Sequence, residues 1–260
     1  MSAAGEPVML VVAPHPDDET LGAGGTIAAL AAAGGQVGVL TVAGHLPPLY
    51  EPEVHERRLL EARKAHAILG VSESVFLDYP AVLLGDVPVP ELNGKVQEVV
   101  DRVAPDVLLV PFRDRHVDHR LVFEAAMVAA RPMGVGRGIG VVAAYETVSS
   151  THWNAPHLEP DFVPTWCVDI TNHIDTKLEA LSSYETELDD FPGPRSLEAI
   201  RALALFRGSQ VGCGYAEGFH VVRMSVPPDV LASTPGPGPP AGRPASAPRG
   251  RRRRRPPSRR

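Results

Sequence analysis

Cysteine is almost absent: Cys167 and Cys213 are the only two in 260 residues. Two thiols cannot form a disulfide scaffold or a cysteine-only zinc site. No apolar run approaches the roughly 18 residues of a membrane span. The first residues lack a basic stretch followed by an apolar one, which predicts no secretory signal and a cytoplasmic protein. Residues 233–260 lack acids, Val, Ile, Leu, Met and aromatics, yet hold nine Arg and eight of the 27 prolines. Such a segment has no apolar surface to bury against its chain entropy, which predicts a disordered tail. The formal charge of −6 is therefore an average. The tail carries +9, and residues 1–232, expected to form one domain, carry −15. A domain of that charge is a poor nucleic-acid binder by its own surface. The tail itself reads as a low-complexity appendage, and a homo-oligomer is compatible with the sequence.

The remaining pattern alternates short apolar runs with helical periodicity. Val8–Ala13 is continuously apolar, as in a strand buried on both faces. A proline-containing polar segment and a small-residue helix over Gly22–Ala33 follow. Val37–Val42 and Val75–Tyr79 read as strands, and Glu53–Leu69 as an amphipathic helix with Leu59, Ala62, Ala65, His66 and Leu69 on one face. A helix over Leu92–Val103, a strand over Asp106–Phe112 and a helix over His119–Ala130 continue the alternation. Strands near Val141–Glu146, Thr165–Ile170 and Phe219–Met224 and helices near Asp175–Leu188 and Ser196–Phe206 complete it. The expected fold is a Rossmann-like, doubly wound α/β domain with a mostly parallel sheet and helices on both faces.

In such a sheet, ligands bind beyond the carboxyl ends of the strands. Two polar loops follow buried strands: Pro14-His15-Pro16-Asp17-Asp18-Glu19 and Arg113-Asp114-Arg115-His116-Val117-Asp118-His119. Two imidazoles and a carboxylate with an open position form the ligand set of a hydrolytic zinc centre. In His-x-x-Asp the turn lets one nitrogen and one oxygen reach a single ion. A carboxylate directly before the ligand carboxylate can then face water. In His-x-Asp-His the second His starts a helix and can point to the ion, and the first can reach a substrate carbonyl.

Ala13–Gly22 (APHPDDETLG), with Arg115-His116-x-Asp118-His119, resembles the LmbE-like/PIG-L family of zinc-dependent N-deacetylases. HERRLLEA at 55–62, YETVSSTHW at 145–153 and RGSQVGCGYAEGF at 207–219 extend the resemblance over roughly residues 8–225. Val117 departs from it, where many members have Pro. The resemblance implies one Zn²⁺ per chain held by His15, Asp18 and His119, with Asp17 as general base. It implies that His116 acts on the oxyanion or leaving group, oriented by Asp118. It implies hydrolysis of an N-acetyl group from an N-acetylated amino sugar or glycoside, a small-molecule substrate. A zinc amidase acting on a larger N-acyl group or a thiol-glycoside conjugate is the alternative, and a non-catalytic binding protein the third reading. Arg57 at its helix start and Trp153, able to stack on a sugar, are candidate substrate contacts. His45 and His66 read as surface or packing residues. Loops 44–52, 80–91 and 147–164 are expected to shape the pocket.

Competing motifs fail. Gly22-Ala23-Gly24-Gly25-Thr26-Ile27 has Ile at the third dinucleotide-fingerprint position, and close helix–strand packing explains its glycines better. His55-Glu56-Arg57-Arg58-Leu59 lacks the second His of a zincin helix.

Overall fold

The apolar runs assemble into one seven-stranded sheet in the computed structural model, which describes residues 6–155 and 158–225. The strands are β1 (Val8–Ala13), β2 (Gln36–Gly44), β3 (Glu73–Pro80), β4 (Val107–Pro111), β5 (Val141–Tyr145), β6 (Trp166–Asp169) and β7 (Ala216–Met224). Their order across the sheet is β3-β2-β1-β4-β5-β7-β6. β1 pairs in parallel with β2 and with β4, Leu10 lying opposite Gly38 and Leu108. The sheet is parallel from β3 to β5; β7 then runs antiparallel to both β5 and β6.

Alternate residues of the buried strands feed two cores. Met9, Val11, Val37 and Val39 pack on the face covered by α1 (Asp18–Ala32), α2 (Pro52–Leu69), α5 (Ile174–Leu181) and α6 (Leu197–Val211). Leu10, Val12, Leu40 and Val42 pack on the other, under α3 (Val89–Val103) and α4 (Val117–Ala129). Runs buried on both faces are what a helix-covered parallel sheet requires, so the doubly wound expectation holds.

Boundaries differ where tertiary contacts outweigh local pattern. α1 begins at Asp18, four residues before the expected start, because its first turn is buried against the sheet. α5 stops at Leu181 rather than Leu188: Tyr184 turns inward, and its hydroxyl donates to Glu19 Oε1 at 2.6 Å. The glycines of α1 allow close packing. A Cβ on Gly22 would stand 2.1 Å from Tyr145 Cδ2, and one on Gly25 2.6 Å from Ile170 Cδ1. Buried Glu217 then ties α1 down, accepting from the Gly25 and Thr26 amides at 2.9 and 2.7 Å and from Lys177 Nζ at 2.6 Å. The described residues fall within one compact unit, Met1–Val226. The expected tail at 233–260, and the boundary before it, lie outside the described residues.

Candidate metal centre and active-site cavity

β1 and β4 are neighbours, and their chains leave in opposite directions along the sheet, β1 toward β2 and β4 toward β5. Such a switch point opens a crevice at the carboxyl ends. The loops after β1 and β4 meet there, which joins His15 to Asp118 across 103 residues of sequence.

Asp18 Oδ2 lies 3.2 Å from His15 Nδ1 and 3.4 Å from His119 Nε2. Ring nitrogens of His15, His116 and His119 also fall within 4.8 Å of one another. All three expected ligands are thus brought together, and His116 joins them. His119 Nδ1 donates to Asp114 Oδ2 at 3.0 Å, and Thr151 Oγ1 donates to the same oxygen at 2.9 Å. That contact leaves His119 Nε2 facing the Asp18 carboxylate, where a ring proton or, in its place, a metal cation bridges the two. Burial lowers His119, but the Asp18 and Asp114 carboxylates outweigh it and raise its pKa to about 10. Burial works against the Asp18 charge, yet His119 and His15 hold its carboxyl well below the usual range. Asp18 Oδ1 is buried with no hydrogen-bond partner. Imidazoles, a carboxylate with a spare oxygen and a supporting carboxylate behind one imidazole fit a divalent ion.

Asp114 was not among the expected site residues, although it lies five positions before His119 in the same loop. It also accepts from the His116 amide at 2.9 Å, so one buried carboxylate shapes the whole second loop. Asp118 differs from expectation. Its carboxylate accepts from His15 Nε2 at 2.8 Å and from the Val82 amide at 2.6 Å. It is the Asp118 backbone N–H that meets His116, donating to Nδ1 at 3.2 Å at the start of α4. His116 is therefore oriented as a helix cap, not by the Asp118 carboxylate. Burial and the charges of His15 and His119 lower its pKa to about 4, which keeps it neutral. With Nδ1 accepting, the neutral ring carries its proton on Nε2.

Asp17 stands directly before α1 in a left-handed backbone conformation, φ 110°. Its side chain is buried, and Oδ2 has no hydrogen-bond partner, though Arg195 Nη1 is 3.2 Å away. Burial pushes the carboxyl up to about 7; Arg195 opposes this, and the Asp18 and Glu19 charges add to it. Asp17, His15, His116 and His119 line a common cavity with His45, Tyr50, Ala81, Val82, Ser150 and Arg195. All three loops expected to shape the pocket contribute to it.

The expected substrate contacts fare differently. Arg57 is 59 % exposed and pairs with Glu61 and Glu185, and neither it nor the exposed Trp153 lines this cavity. Its neighbour Arg58 points inward instead and pairs with Glu187, which does line the cavity. The helical period marks this: Arg58 precedes Ala62, Ala65 and Leu69 by four, seven and eleven residues, on the buried stripe. His45 packs its ring edge-on to Tyr50, 4.4 Å between centroids, and it also lines the cavity. His66 does pack, with Nδ1 2.7 Å from Ser74 Oγ.

The family profile described as PIG-L: GlcNAc-PI de-N-acetylase matches residues 10–130. The diacetylchitobiose deacetylase of Thermococcus kodakarensis is 28 % identical, over 82 % of this chain and 82 % of its own. The 1D-myo-inositol 2-acetamido-2-deoxy-alpha-D-glucopyranoside deacetylase of Actinosynnema mirum is 29 % identical, over 72 % of this chain and 83 % of its own. The crystal structure of the conserved protein TT1542 from Thermus thermophilus superimposes with a TM-score of 0.68 at 30 % identity, covering 84 % of this chain and 96 % of that one.

Proposed function

Because the chain belongs to the PIG-L family, we propose that it is a metal-dependent N-deacetylase releasing acetate from an N-acetylated amino sugar or glycoside. The observation that carries this reading is one side chain: a buried Asp17, with no hydrogen bond at Oδ2, beside the His15–Asp18–His119 group in one cavity. A module that only binds metal has no use for a second buried carboxylate there. The relatives named above act on diacetylchitobiose and on an inositol-linked acetamido sugar. An acetamido group on a sugar ring is the chemistry common to both.

His15, Asp18 and His119 would hold the ion, and zinc there supplies a Lewis acid that polarises the amide carbonyl and acidifies water. Asp17 accepts a proton from the water whose oxygen bonds to the carbonyl carbon. His116 donates its Nε2–H to the carbonyl oxygen as negative charge develops on it. The C–N bond then breaks, Asp17 passes the proton to the departing nitrogen, and acetate and a primary amine leave.

The test is acetate release by the purified chain from N-acetylglucosamine, diacetylchitobiose and an inositol-linked 2-acetamido glucoside, with metal analysis alongside. About one zinc per chain and turnover of at least one substrate are expected. Asp17→Asn should keep the metal and lose about 10²- to 10⁴-fold in kcat. A longer acid released without acetate would move the reading to an amidase, and no hydrolysis of any amide would overturn it.

A further inference from the structure

The mechanism above leaves the far side of Asp17 unexplained. Asp17, Asp18 and Glu19 are three consecutive buried carboxylates. Asp18 faces His15 and His119, and Glu19 faces Tyr184, Thr20 and His66. The ion pair that Asp17 makes among the described residues comes from the opposite end of the chain, Arg195 Nη1 at 3.2 Å from Oδ2. Arg195 lies outside the residues matched by the family profile.

Its position is built. Ser196 caps α6, its Oγ accepting from the Ala199 amide at 3.2 Å, and this fixes the backbone directly after Arg195. Glu187 Oε2 accepts from the same Nη1 at 2.6 Å, and Glu187 Oε1 pairs with Arg58 of α2. Arg58, Glu187, Arg195 and Asp17 therefore form a line of alternating charge from α2 to the N-terminus of α1. Glu187, Arg195 and Asp17 line the cavity.

We infer that Arg195 is a positioning residue for the base, holding Asp17 Oδ2 toward the cavity by a guanidinium that Glu187 anchors. A neutral residue there would leave Asp17 beside two other carboxylates without the guanidinium that lies against its Oδ2, and its side chain free to turn away. Arg suits the role because its Nη1 reaches both carboxylates at once and its charge persists throughout the working pH range. The inference rests on the deacetylase reading, since a positioned base has meaning only for hydrolysis.

The experiment compares wild type, Arg195→Met, Arg195→Lys and Glu187→Gln in the full chain, zinc-loaded, on a substrate that wild type turns over. Arg195→Met should lose about tenfold or more in kcat, with KM changed less than about threefold and with zinc content and melting temperature close to wild type. Arg195→Lys should recover much of that loss, and Glu187→Gln should show a smaller fall in kcat. These shifts separate positioning from a structural ion pair, which would move melting temperature and metal content instead. A folded, zinc-loaded Arg195→Met with wild-type kcat would overturn the inference and leave the deacetylase reading intact. Should Arg195→Met not fold, wild-type kcat in a folded Glu187→Gln together with no activity in Arg195→Lys would overturn it. Wild type inactive on every acetylated sugar would overturn both.

Discussion

Asp17 holds φ 110°, a region that a side chain with Cβ occupies at a cost of about 1–3 kcal/mol. Val82 and Ser149, at φ 59° and 72°, belong to the loops that carry Val82 and Ser150 to the same cavity. At Val82 the twist aims the backbone N–H at Asp118, which in turn receives His15. Strain of this kind persists where surrounding contacts over-determine it. Asp17→Gly should therefore melt higher than Asp17→Ala, by about 1 kcal/mol of stability, although both lose the base. Thermal or urea unfolding measures this, and an Ala variant as stable as the Gly variant would show that the backbone there is unstrained. The grouping of His15, Asp17, Asp18, His116 and His119 was legible, because tight loop motifs fix type and spacing. The partners of Asp118 were not, since nothing local reveals that its carboxylate faces His15 and Val82 and its amide His116.

Elements carry the site through their packing. α1 can approach Tyr145 because Gly22 has no side chain, and Tyr145 is itself locked by its hydroxyl donating to Val12 O at 2.9 Å. Gly22→Ala should cost about 1–3 kcal/mol by overpacking and should also lower kcat, because the helix that shifts begins at Asp18. A variant with unchanged melting temperature and activity would show that α1 has room to spare. Glu146, directly after β5, receives Arg207 of α6 at 2.8 and 2.7 Å and His152 at 3.1 Å. Burial raises its pKa, but those partners prevail and hold it below the ordinary value. A depressed pKa contributes stability above the unfolded value, about 4.3, and that contribution fades as pH falls through the folded value. Glu146→Gln should accordingly flatten the loss of melting temperature between about pH 5 and pH 3; an unchanged slope would remove Glu146 from the acid response. Period and apolar runs made the strands and α2–α4 legible. The antiparallel direction of β7 was not, because a buried strand has the same composition in either direction.

At the scale of the molecule, the charge divides into unlike parts: residues 1–232 carry −15 and the following segment +9. Asp17, Asp18, Asp114 and Asp118 account for four of the acids; Asp17 lines the cavity and the other three contact His15 or His119, where a divalent ion would offset two units of charge. Among the described residues no helix is long and apolar enough to cross a membrane. All the groups in the proposed mechanism lie within residues 15–119, and the positioning role given to Arg195 and its anchor Glu187 lies before residue 196. Truncation after about residue 232 should therefore leave kcat and KM unchanged, and a truncated chain that binds zinc but turns over slowly would place a working part in the removed segment. The fold class was legible from alternation alone. The meeting of the two loops followed from it only through a rule about switch points, since sequence distance gives no hint of it.

The pairing of β1 with β4 has one more consequence, for the chain as it is made. Two of the three proposed ligands, His15 and Asp18, leave the ribosome about a hundred residues before His119 does. Until β4 emerges and docks beside β1, the early motif is a turn with one imidazole and a few carboxylates, a weak trap for any ion. On the proposed ligand set, metal capture would wait for β4 to pair with β1, the step that brings the second loop to the first.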